Sequence, residues 1–146
     1  MLNIFLFLLF FNYNFDTTYS GEITKKQPKE IIYEKLLSDS LTRSYFYDYF
    51  QISSNSAYYS LISKPILHIN YSQFFQSKIY YSMHLKIHDE KITYKIRYYN
   101  FDEYYHIFNI KLKKNNMDDI SNKRKEYYFN EFDKEIKKLI INLENF

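Results

Sequence analysis

Four histidines, His68, His84, His88 and His106, are the side chains in this sequence best suited to metal or acid–base chemistry. His84 and His88 share one face of an alternating run but stand four residues apart, about 13 Å at strand rise. That is too far for both to reach one ion through bonds of about 2 Å, so they read as solvent-facing histidines. The paired carboxylates Asp89-Glu90, Asp102-Glu103 and Asp118-Asp119 fall at expected turns, where acidic side chains cap backbone N–H groups. Acid–base catalysis would need partners for them from elsewhere in the fold. With a single glycine, the chain has no Gly-rich phosphate loop and no nucleophile elbow. With no cysteine, it has no disulfide framework, thiolate metal site, cysteine nucleophile or lipidated cysteine. No catalytic, cofactor-binding or metal-binding residue is assigned, no cofactor is expected, and the chain reads as a non-enzyme.

The more suggestive constellation is a surface. Lys78, Tyr80, His84, Lys86, Lys95, Arg97 and Tyr99 belong to the polar face of two alternating runs and mix aromatic with basic groups. Such a face can stack on sugars, peptidoglycan or single-stranded nucleic acid, or it can be an ordinary solvated antiparallel face. The formal charge of +3 is too small and too dispersed to argue for nucleic acid, whose binding would also fall steeply with salt.

Two alternating strands must present that face. In Ile79 to His88, the residues Ile79, Tyr81, Met83, Leu85 and Ile87 alternate with polar neighbours. In Ile92 to Tyr99, the residues Ile92, Tyr94, Ile96 and Tyr98 do the same. A reversal at Asp89-Glu90 pairs Ile87 with Ile92, Leu85 with Tyr94, Met83 with Ile96 and Tyr81 with Tyr98. A slip of one residue would drive His84 and Lys86 into the core. Asp-Glu is a poor pair for a tight turn needing positive φ, so a loop one or two residues longer is expected.

Around this hairpin the pattern predicts a helix over Glu30–Ser44, with Tyr33, Leu36, Leu37 and Leu41 as its apolar stripe. It then predicts a hairpin of Tyr45–Ile52 and Ala57–Ser63 around Ser53-Ser54-Asn55-Ser56. Ile66–Ile69 fits a short strand, Asn70–Gln73 a loop, and Tyr105–Leu112 a further strand, with Phe108, Ile110 and Leu112 inward. A last helix, capped by Asp118 or Ser121, carries Tyr128, Phe132, Ile136, Leu139, Ile140 and Leu143 on one stripe. The expected fold is α+β: an antiparallel sheet of about five strands with an N-terminal and a C-terminal helix packed on one face.

At 146 residues and 46% hydrophobic content the chain suits one domain, and 18 Tyr and 14 Phe supply burial against the cost of ordering the backbone. The apolar run Leu2–Phe11 suits a signal-peptide core, and Thr18 and Ser20 place small residues before a cut ahead of Gly21. As a helix that run reaches about 15 Å, half of a ~30 Å hydrocarbon layer. Alternatives are an uncleaved anchor, the sole membrane contact foreseen, and a buried strand. The organisation expected is residues 1–20 as signal peptide, 21–29 as a flexible lead-in, and 30–146 as the domain, exported to the periplasm or the exterior. Asn70-Tyr71-Ser72 is an N-glycosylation sequon, meaningful only in a eukaryotic host.

This order resembles a bacterial family of exported domains of unknown function with a TATA-binding-protein-like fold. The likeness spans roughly Glu30 to Leu143. It rests on Ile31-Ile32-Tyr33-Glu34-Lys35, on Leu61-Ile62-Ser63-Lys64, and above all on the run from Tyr81 to Arg97. Ser63-Lys64-Pro65 and Asp89-Glu90 stand where that family usually carries glycine-containing turns. The resemblance implies the fold and export, and it brings no catalytic residues. A binding or accessory domain that contacts a protein or an envelope polymer is therefore expected, with a hydrolase-like enzyme as the alternative. Clustering of His68, His106 and carboxylates in one cleft would favour the enzyme.

Overall fold

The computed structural model describes residues 18–45, 50–107, 110–115 and 120–146. The apolar run Leu2–Phe11, Phe108 and the Asp118-Asp119 pair lie outside the described residues. The spine of the fold is the alternating hairpin, β5 (Phe75–His88) with β6 (Lys91–Ile107). Its register is the one the alternation selects: Ile87 faces Ile92, Leu85 faces Tyr94, Met83 faces Ile96 and Tyr81 faces Tyr98. Each long strand then accepts two short strands end to end along its outer edge. On β5 these are β3 (Tyr59–Ser63) and β4 (Ile66–Asn70); on β6 they are β1 (Thr18–Thr24) and β7 (Ile110–Asn115). β2 (Phe50–Ser54) pairs with β3, completing an antiparallel sheet of seven strands among the described residues, against about five expected. The Asn55 side chain closes the β2–β3 loop by accepting from the Ala57 and Tyr58 N–H groups at 2.8 and 3.0 Å.

Three expectations are corrected. Residues 21–29 are not a flexible lead-in, because Thr18 to Thr24 pair with Arg97 to Lys91 as an edge strand. The polar Thr-Tyr-Ser-Gly-Glu-Ile-Thr sequence hides a strand whose pairing is supplied by β6 and whose Tyr19 and Ile23 reach the core. The helix expected over Glu30–Ser44 is two helices, α1 (Lys29–Ser38) and α2 (Ser40–Tyr45). At the break the Asp39 carboxylate accepts from the Thr42 N–H at 2.9 Å and the Thr42 hydroxyl at 2.8 Å, capping a new helix rather than continuing the old one. Finally, the single strand expected over Tyr105–Leu112 is divided between two. β6 continues to Ile107, and β7 returns from Ile110.

The Asp89-Glu90 reversal is tight, with Glu90 at φ 67° in the left-handed region. The chain before α1 braces it. The Glu90 N–H donates to the Gln27 carbonyl at 2.8 Å, the Lys25 N–H donates to the Glu90 carbonyl at 2.9 Å, and the Lys29 N–H donates to the Asp89 carboxylate at 3.0 Å. Asp89 thus supplies an anionic partner to the first turn of α1, where Pro28 has no side-chain cap to offer.

Both longer helices cover one face of the sheet. α1 buries Ile32 and Leu36; α3 (Asn122–Asn145) buries Tyr128, Phe129, Phe132, Ile136, Leu139 and Leu143, and all join the inward residues of β5 and β6 in one core. The amphipathic period of α3 makes this possible, and Ser121 caps it through the Arg124 N–H. Each fully buried aliphatic side chain contributes about 1.5–3 kcal/mol of transfer free energy.

Candidate binding face

The sheet face opposite the helices is built from cross-strand rows. Ser20, Lys95, His84 and Ile62 form one row, and Glu22, Thr93, Lys86 and Ser60 the next. Between them lies an open depression of about 400 Å³ lined by Ser20, Gly21, Glu22, His84, Lys86, Thr93, Tyr94 and Lys95. Gly21 sits directly opposite Tyr94, whose hydroxyl would stand 2.6 Å from a Cβ at that position. The lone glycine thus lets the tyrosine ring lie over the strand. His84 Nε2 is 2.7 Å from the Ser60 hydroxyl, and Ser60 is itself buried. Burial and the neighbouring Lys86 and Lys95 ammonium groups hold the His84 imidazole below its ordinary pKa, so it is kept neutral. His88 takes different partners, Thr93 Oγ1 at 3.4 Å and the Tyr58 ring at 5.3 Å between centroids. Both histidines are half-buried beside hydroxyl groups rather than simply solvated.

A β-bulge divides the face. Tyr80 pairs with Asn100 and Tyr81 with Tyr98, leaving Tyr99 as the extra residue of β6. Tyr99 is 54% exposed, with its ring 6.4 Å from that of Tyr80 and the Lys64 ammonium 5.9 Å away. Beyond the bulge the outward residues are Lys78, Tyr80, Asp102 and Tyr104. Tyr80 hydrogen-bonds within this group, to Tyr104 and Asp102, and burial together with those neighbours pushes its hydroxyl well above the usual range. Lys78 lies 5.1 Å from the Tyr104 ring. The expected face is therefore split: Lys78 and Tyr80 are engaged internally, whereas His84, Lys86 and Lys95 frame the depression and Arg97 and Tyr99 are exposed beside it.

The carboxylate pair Asp102-Glu103 is corrected from a turn to the interior of β6, where the two side chains point to opposite faces. Glu103 is fully buried under α3. It accepts from Arg124 Nε at 2.9 Å, from a second guanidinium nitrogen at 3.1 Å, and from the Tyr128 hydroxyl at 2.6 Å. The guanidinium also lies 4.1 Å from the Phe75 ring. This is a closed structural network in which every oxygen has a donor. Two further carboxylates of α3 accept tyrosine hydroxyls at 2.7 Å, Asp133 from Tyr19 and Glu135 from Tyr45.

Of the residues whose convergence would mark a catalytic cleft, His68 is exposed on β4 opposite Lys78, and the His106 side chain lies outside the described residues. Among the described residues no three His, Asp or Glu side chains converge to hold an ion. Sequence alone missed Ser20, Glu22, Ser60 and Thr93 as parts of the face. Ser60 and Thr93 were available from alternation within their strands; Ser20 and Glu22 depended on β1, whose alternation is carried by Tyr19 and Ile23 alone, with Gly21 between them.

No protein-family model matches this sequence. No curated protein matches it either. Among solved structures, the chain is similar to a TBP-like protein from Parabacteroides distasonis, with a TM-score of 0.47 and 16% identity over 73% of this chain and 69% of that one. It is also similar to a DUF4468 family protein from Bacteroides ovatus, with a TM-score of 0.40 and 10% identity over 71% of this chain and 62% of that one. The α+β antiparallel architecture stands on this chain's own sheet register.

Proposed function

We propose that this protein is an exported, non-enzymatic binding or accessory domain that contacts a protein or envelope polymer through the open face of its sheet. The observation that carries the reading is the pair of cross-strand rows that frame a depression with Lys86, Lys95 and His84 on the face opposite the helices. Exposed Tyr99 and Arg97 extend that surface beside the bulge. Antiparallel sheets covered on one side leave the other free for such contacts.

Export is part of the same reading and is supported by the Leu2–Phe11 apolar run. Ser20 and Gly21 are consecutive residues of β1, so processing between them would remove Thr18 to Ser20 from the sheet. Processing upstream of Thr18 leaves β1 whole, and intact-mass measurement of the exported protein locates the cut.

The test of the binding reading is a pull-down from the native envelope fraction with wild type and a triple variant, Lys95→Ala, Arg97→Ala and Tyr99→Ala. Loss of specific partners from the variant, with an unchanged thermal midpoint, is the expected result. Equal recovery by both proteins refutes the use of this face.

A further inference from the structure

We propose that the depression on the open face is an oxyanion subsite, taking a carboxylate or phosphate group of the ligand between Lys86 and Lys95. The proposal rests on the binding reading above and assigns the chemistry of one part of that surface.

Lys95 stands directly opposite His84, and Lys86 directly opposite Thr93, so the two ammonium-bearing residues are diagonal neighbours across β5 and β6. Diagonal partners are about 7–8 Å apart at their origins, within reach of one bound group for long side chains. Like charges repel, and a carboxylate set across from them would offset that repulsion. Here the carboxylate in the lining is Glu22, and its Oε1 lies 3.5 Å from Lys91 Nζ at the rim. Lys95 has no ion pair among the described residues, and Lys86 has the Tyr58 ring at 4.9 Å in place of a counter-charge. Three other cations do have anionic partners, Arg124 in Glu103, Lys137 in Asp133 and Lys134 in Glu131. The centre of the open face is thus an uncompensated positive site.

Ser20 and Thr93 bring hydroxyl groups to the same depression. His84 is held by Ser60 through Nε2, which fixes the ring and leaves Nδ1 as its remaining polar atom. Two ammonium groups, hydroxyl donors and an oriented imidazole around an open concavity match the donor needs of a tetrahedral or planar oxyanion. Burial lowers the His84 pKa first and the Lys86 and Lys95 charges lower it further, so an anion seated beside them would offset that second part and His84 reports on occupancy.

The experiment is an NMR titration of the full chain, following the His84 imidazole against inorganic phosphate and separately against acetate, at constant ionic strength made up with chloride. Saturable displacement of the His84 resonances, with a rise in its pKa, is expected. Response to phosphate alone identifies a phosphate group as the natural anion, and response to acetate as well admits a carboxylate. Lys95→Gln, an exposed substitution, should weaken the response about tenfold, as loss of one charge contact at a solvated site does. Lys138→Gln on the far side of α3 should leave it unchanged. A response no greater than that to chloride, or one indifferent to Lys95→Gln, overturns the proposal. If the pull-down recovers partners through the face while His84 stays silent, the subsite alone falls; if both fail, the face itself does.

Discussion

Replacing Glu103 with glutamine preserves the side chain's volume and removes the charge that Arg124 faces. The Glu103 side chain has no exposure and that of Arg124 17%, so the pair is screened by very little water. Breaking one side of a buried ion pair costs about 3–5 kcal/mol, because the remaining charge is left desolvated. Arg124 keeps a little solvent and the Phe75 ring, and Tyr128 keeps an acceptor, which places Glu103→Gln near the lower end, about 3 kcal/mol. For a domain of this size that corresponds to a fall of about 10 °C in the thermal midpoint. Urea denaturation measures it, with an unchanged slope confirming that the native state is intact. The double variant Glu103→Met, Arg124→Met removes both charges and should cost less than the sum of the two single changes, by about 2 kcal/mol. A Glu103→Gln protein within about 0.5 kcal/mol of wild type, or strict additivity in the cycle, refutes the assignment of this network as a coupled buried unit.

Deleting residues through Ser20 removes the Tyr19 hydroxyl bond to Asp133 at 2.7 Å and its edge contact with Phe132, and should cost about 2 kcal/mol by urea melt relative to a chain beginning at Thr18. Leu139→Ala, at a fully buried position of α3, should cost about 2–5 kcal/mol, read by the same assay. Because His84 is held below its ordinary value, its contribution to stability is fully present above about pH 6.5 and is lost as pH falls through the lowered native value. Thermal midpoints measured from pH 8 to 5 should therefore fall less steeply for His84→Gln than for wild type. Asp39 and Asp133 are held below the usual carboxylate range, chiefly by Asn142 and by Lys137 respectively. Their contributions persist down to about pH 4 and are lost as pH falls further through the lowered native values, so Asn142→Ala should flatten the acid limb of the stability curve.

The sequence by itself determined the parts of this protein in which a local period and a burial requirement agree. Alternation over Tyr81 to Tyr98 has one register that keeps His84 and Lys86 out of the core, and the structure adopts it residue for residue up to the bulge at Tyr99. The stripe of α3 is equally legible, since six of its apolar side chains recur at helical spacing and all but Ile140 become fully enclosed. Only the tertiary structure decided the rest. β1 is a strand because β6 offers it an edge, and the two apolar residues Tyr19 and Ile23 are too few to reveal that pairing. The Asp89-Glu90 turn is tight because Lys25, Gln27 and Lys29 hold it from outside. Asp102 and Glu103 looked like turn residues because acidic pairs favour turns. Once the bulge at Tyr99 resets the alternation and Arg124 arrives from α3, Glu103 is enclosed and satisfied. The open face follows the same division: alternation placed Lys86, His84 and Lys95 together, but the depression beside them also needs β1, which lies along β6 and brings Ser20 and Glu22 to its lining.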